Sequence, residues 1–126
     1  MIDHASVGVR DLAKAAAFYD AVLSALGYVK LEDRETTKGW GKPGKHAEFW
    51  INLRPAMMKV SPDSGAHICL RAKDTKAVDA FHAAALKAGG TSDGAPGPRS
   101  HFGDGYYAAF VVDPDGNRIE AVTFIK

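Results

Sequence analysis

Two histidines, His4 and His67, and two glutamates, Glu48 and Glu120, are spaced along a chain of 126 residues so that each half holds one of each. Imidazole nitrogens and carboxylate oxygens together suit Zn, Ni, Co, Mn or Fe(II), and two histidines with one carboxylate form a facial triad that leaves room for substrate. Each histidine also stands ahead of a similar phrase. GVRDLAKAAAFYDAVLSALGY fills residues 8–28, and RAKDTKAVDAFHAAALKAGGT is a looser copy at 71–91. A shift of 63 residues lays His4 on His67, Asp11 on Asp74, Phe18 on Phe81, Leu23 on Leu86 and Gly27 on Gly90. Matches at one offset without a gap predict a duplicated unit, one copy at about residues 1–60 and the other at about 64–126, with SPDSG at 61–65 as connector.

The elements that must position these residues follow from periodicity. HASVGV and HICLRA alternate as strands, with Val7 and Val9, or Ile68 and Leu70, on one face. His4, Ser6 and Gly8, or His67, Cys69 and Arg71, take the other. Asp11 and Asp74 read as helix N-caps, and glycine ends both helices at Gly27 and Gly89-Gly90. Leu12, Ala15, Tyr19, Val22, Leu23 and Leu26 form the apolar face of the first helix; Val78, Phe81, Ala85 and Ala88 form that of the second. YVKLED and AEFWINL complete the first half as strands. GYYAAFVV and NRIEAVTFI complete the second, joined by a DPDG turn. Each unit therefore reads β-α-β-β with room for a further strand, an α+β fold with polar sheet faces turned inward and both helices outside.

Alternation in AEFWINL puts Glu48, Trp50 and Asn52 on the face away from Phe49, Ile51 and Leu53. In NRIEAVTFI, Ile119 and Ala121 pack under a helix, leaving Arg118 and Glu120 opposite. A glutamate in mid-strand among apolar neighbours costs free energy unless paired or metal-bound. His46 lies two residues before Glu48 on the same face. Cys69 reads as a buried, inert thiol bordering the pocket. TSDGAPGPRSHFGDG at 91–105 reads as a surface loop or a lid, with His101, Phe102, Tyr106 and Tyr107 at its end. Trp50, Asn52, Arg71, Arg118, His101 and Tyr106 are the candidate substrate contacts.

Composition narrows the function classes. A net charge of +1 with scattered Lys and Arg gives no case for nucleic acid or an anionic membrane, and no stretch has the length of a membrane helix. No signal peptide is visible, and a single cysteine excludes an internal disulfide and fits a reducing cytoplasm. No G-x-S-x-G elbow, G-x-G-x-x-G or phosphate-binding loop occurs.

DHASVGVRDLAKAAAFYDAVLSALGY, the repeated HICLRAKD and the terminal FVVDPDGNRIEAV make the whole chain resemble the vicinal oxygen chelate superfamily. That superfamily holds glyoxalase I, extradiol dioxygenases, fosfomycin resistance proteins and bleomycin-binding proteins. The resemblance implies two βαβββ modules related by an internal pseudo-twofold, within one domain, around a divalent metal. It makes His4, His67 and Glu120 ligands, with Glu48 as a fourth in the glyoxalase I manner and Glu48 or Glu120 as catalytic base. It implies a small substrate offering vicinal oxygens and a homodimer. Isomerase or lyase chemistry is the leading expectation. A metal-free binding protein of the bleomycin-resistance type and an Fe(II) dioxygenase remain open. Where glyoxalase I has an arginine gripping glutathione, four residues after its first ligand, this chain has Gly8; the accompanying asparagine is present as Asn52.

Overall fold

The computed structural model describes residues 1–126. Strand β1 (Ala5–Val9) leads into helix α1 (Leu12–Ala25), followed by β2 (Val29–Asp33), β3 (Thr37–Gly41) and β4 (Phe49–Leu53). The second module repeats this order: β5 (Ile68–Arg71), α2 (Thr75–Lys87), β6 (Thr91–Pro98), β7 (Tyr106–Val112) and β8 (Arg118–Phe124). A short 3₁₀ turn at Ser100–Phe102 separates β6 from β7. Each module makes a four-stranded sheet of the same topology, β1-β4-β3-β2 and β5-β8-β7-β6. In each, the first strand pairs in parallel with the last, and the other neighbours are antiparallel.

The local signals act as read. Asp11 accepts the Lys14 amide at 3.0 Å and Asp74 accepts the Ala77 amide at 2.8 Å, each satisfying a free first-turn donor. Gly27 (φ 86°) and Gly89 (φ 99°) adopt the left-handed conformation that ends a helix and that side chains disfavour. No helix is long and apolar enough to cross a membrane.

Two expectations are corrected. Residues 91–98 are a strand, not a loop or lid, and only the turn at 99–105 remains irregular. This strand is an edge with register shifts around Gly94, a place where proline and glycine are tolerated because half the ladder is free. The helices do not stand apart outside two facing sheets either. They pack on each other, and one apolar cluster runs from Val9, Phe49 and Ile51 through both helices to Val111, Ile119 and Ala121. Burying roughly twenty side chains between helices and sheets leaves the polar sheet faces on the outside of this core.

The DPDGN turn ties the modules together. The Asp113 carboxylate accepts the Tyr19 hydroxyl at 2.6 Å, the Asp115 amide at 2.9 Å and both the backbone and side-chain amides of Asn117. Asn117 also donates to the Gly8 carbonyl of β1 at 2.9 Å, and Arg10 grips Asp115 at 2.7 Å. The DPDGN motif is thus a structural clasp. Burial raises the Asp113 carboxyl above its ordinary pKa, with the surrounding donors pulling the other way.

Candidate functional site

Glu120 lies on the polar face of β8 yet is only 3% exposed, whereas the His67 side chain at the head of β5 is 50% exposed. His67 Nε2 stands 3.0 Å from Glu120 Oε1. The Tyr106 hydroxyl, from β7, donates to Oε2 of the same carboxylate. Cys69 faces them from β5, opposite Glu120 in the register. Its thiol is exposed, which corrects the expectation of burial. Partial desolvation, then the Glu120 charge, pushes its pKa up to about 12, so it stays a thiol at neutral pH. Desolvation and the bond to Glu120 also raise the Tyr106 hydroxyl, keeping it a donor.

An aromatic row flanks this cluster. His101 meets Phe102 in a tilted pair at 4.1 Å between ring centres, Phe102 meets Tyr106 at 5.3 Å, and Tyr106 meets Phe124 edge-on at 5.3 Å. The Arg71 guanidinium lies 4.8 Å over the Phe124 ring. His101, Arg71 and Tyr106 are therefore gathered on one open face with His67 and Glu120. Arg118 is not free for an anion there, since it pairs with Asp93.

The first module presents a different group. Asp3 bridges two imidazoles, His4 Nδ1 at 2.7 Å and His46 Nε2 at 3.2 Å. The hydrogen bond from His4, then the charge of His46, holds the Asp3 carboxyl below its usual pKa. With Nδ1 turned to a carboxylate, His4 Nε2 is the ring nitrogen left without a side-chain partner. Asp3 had no signal in the duplicated pattern, because its counterpart in the second module is Ala66. Trp50 packs under Arg34, 5.0 Å from its guanidinium, and Asn52 sits opposite Gly8. A side chain at position 8 would have to displace the flexible Met57 thioether, whose Sδ lies 2.9 Å from where its Cβ would stand.

Strand register corrects the symmetry of the four acids and imidazoles. Cys69 pairs with Glu120, and its counterpart Ser6 pairs with Trp50. Trp50, not Glu48, occupies the Glu120 position of the first module. Glu48 lies ahead of β4 and lines the seam between the modules beside Cys69 and Arg71.

These positions decide how a metal ion would fit. The 3.0 Å between His67 Nε2 and Glu120 Oε1 suits two adjacent ligands held about 2.1 Å from one ion. Within one chain, however, no three His, Cys, Asp or Glu side chains come together as a metal-holding group.

The comparisons with known proteins agree with the architecture. A family model described as the Glyoxalase/Bleomycin resistance protein/Dioxygenase superfamily matches residues 1–121. The chain belongs to this superfamily. Among solved structures, a glyoxalase/bleomycin resistance protein from Albidiferax ferrireducens is 33% identical with a TM-score of 0.82, covering 95% of this chain and 96% of that one. A glyoxalase/bleomycin resistance protein/dioxygenase family enzyme from Burkholderia phytofirmans is 20% identical with a TM-score of 0.72, covering 98% of each. A glyoxalase I variant from Zea mays is 22% identical with a TM-score of 0.71, covering 94% of this chain and 44% of that chain. The last two show likeness of fold. The chain has no significant match among curated proteins.

Proposed function

We propose that this superfamily member is a divalent-metal-dependent lyase or isomerase acting on a small substrate with two neighbouring oxygens, and that it works as a homodimer. The observation that carries the reading is the His67–Glu120 pair, a buried carboxylate oxygen presented beside an exposed imidazole nitrogen at 3.0 Å. In this reading His67 and Glu120 of one copy and His4 of a second copy hold the ion.

The bound ion would act as a Lewis acid toward the substrate oxygens. The chain's own groups do the rest. Tyr106 fixes the Glu120 carboxylate through Oε2 and keeps that oxygen from rotating away. Glu120 is also the group placed to take and return a substrate proton. Phe102 and Phe124, with His101 beside them, offer exposed aromatic surface for a substrate, and Arg71 stands beside them for an anionic substrate group. Glu48 lies outside this ligand set.

The test is metal content of untagged protein beside His67→Ala and Glu120→Ala. The reading expects a stoichiometric ion in the wild type and about a hundredfold weaker binding in either variant. Undiminished metal in both removes it. The aromatic row favours one second reading, a metal-free module that sequesters a flat small molecule. That reading expects ligand binding untouched by a strong chelator.

A further inference from the structure

A second binding site lies in the seam between the modules. Here the end of α1, the β3–β4 connection and the last residues of β5 enclose a cavity of about 540 Å³. That volume falls in the range of small-molecule sites. Its walls include Leu23, Leu26, Trp40, Phe49 and Leu70, four of them nearly fully buried and so forming a fixed apolar floor. Its rim carries Lys42, Arg71 and Lys73 against one carboxylate, Glu48. None of the three cations has an acidic partner within the chain. Three unpaired cations around an apolar floor match one ligand chemistry.

We infer that this seam binds a monocarboxylate with an apolar body, its hydrocarbon on the Leu26–Trp40–Phe49 floor and its carboxylate among Lys42, Arg71 and Lys73. A neutral molecule of the same shape would gain the floor and lose the rim. A short acid would gain the rim and lose the floor. The three cations outnumber Glu48, so the rim stays attractive to an anion at neutral pH. Arg71 borders both the seam and the open aromatic face, so the charge reversals are made at Lys42 and Lys73 alone. The seam does not depend on a bound metal, and its test on chelator-treated protein is read separately from the catalytic one.

Isothermal titration with octanoate, 1-octanol and acetate reads the two contributions separately. Octanoate is expected to bind to wild type at least about tenfold more tightly than 1-octanol, and acetate not measurably. The exposed pair Lys42→Glu and Lys73→Glu should weaken octanoate about tenfold and leave 1-octanol unchanged. Equal affinity for octanoate and 1-octanol, no effect of the charge reversals, or no octanoate binding at all would each overturn the inference.

Discussion

At Glu120 the two carboxylate oxygens have different tasks, Oε2 held by Tyr106 and Oε1 turned to His67. In the proposed centre such an arrangement would orient a ligand before any ion arrives, and the same logic would apply to His4. Its Nδ1 is tied to Asp3, which sets the tautomer and leaves Nε2 outward. Asp3→Asn keeps the shape and removes the negative charge. It is expected to weaken metal binding about tenfold or more, measured by competition with a chromophoric chelator. Unchanged affinity would show that Asp3 serves only the surface. Side-chain alternation in the sequence places Glu48, Trp50 and Asn52 on one face but carries no strand register, and register is what makes Trp50 the counterpart of Glu120.

Among the elements, helices and their caps were the most legible, because Asp11, Asp74 and the closing glycines act through local geometry. Strands β3 and β6 were not. TKGWG and TSDGAPGP lack alternating β-branched residues, and their pairing with β4 and β7 supplies what local propensity withholds. The β7–β8 hairpin was legible as a turn but not as a clasp, since its partners Tyr19, Gly8 and Arg10 lie about a hundred residues away. Asp113→Ala strands several buried donors and is expected to cost about 3 kcal/mol in urea unfolding. A loss under about 1 kcal/mol would contradict the clasp. Because burial raises the Asp113 pKa above 3.8, the folded state binds that proton more tightly than the unfolded chain. The contribution favours folding below the unfolded value and fades as pH rises through the folded one. Wild-type stability relative to Asp113→Asn should therefore fall as pH climbs from about 3 to neutrality. A rise over that window would count against burial as the dominant effect.

For the whole molecule, duplication was legible from one offset of 63 residues, while the way the copies face was not. The apolar helix faces meet and leave both polar sheet faces open, so in the proposed dimer each copy would contribute to two sites. Phe102, Phe124 and Ile125 are exposed at 55%, 40% and 53% beside the His67–Glu120 face, where a second copy would cover them. Phe124→Glu is expected to shift the sedimenting species from dimer to monomer and to lower metal content with it. A dimer that persists with full metal would place the interface elsewhere.

The central claim is that two copies share each metal centre, and complementation tests it most directly. His4→Ala and Glu120→Ala chains, each unable to hold the ion alone, are co-expressed and the purified mixture is analysed for metal. Random pairing gives half heterodimers with one intact centre of two, so about a quarter of wild-type metal should return. Metal bound by the wild type but absent from the mixture would place all the ligands of a centre in one chain and contradict the account.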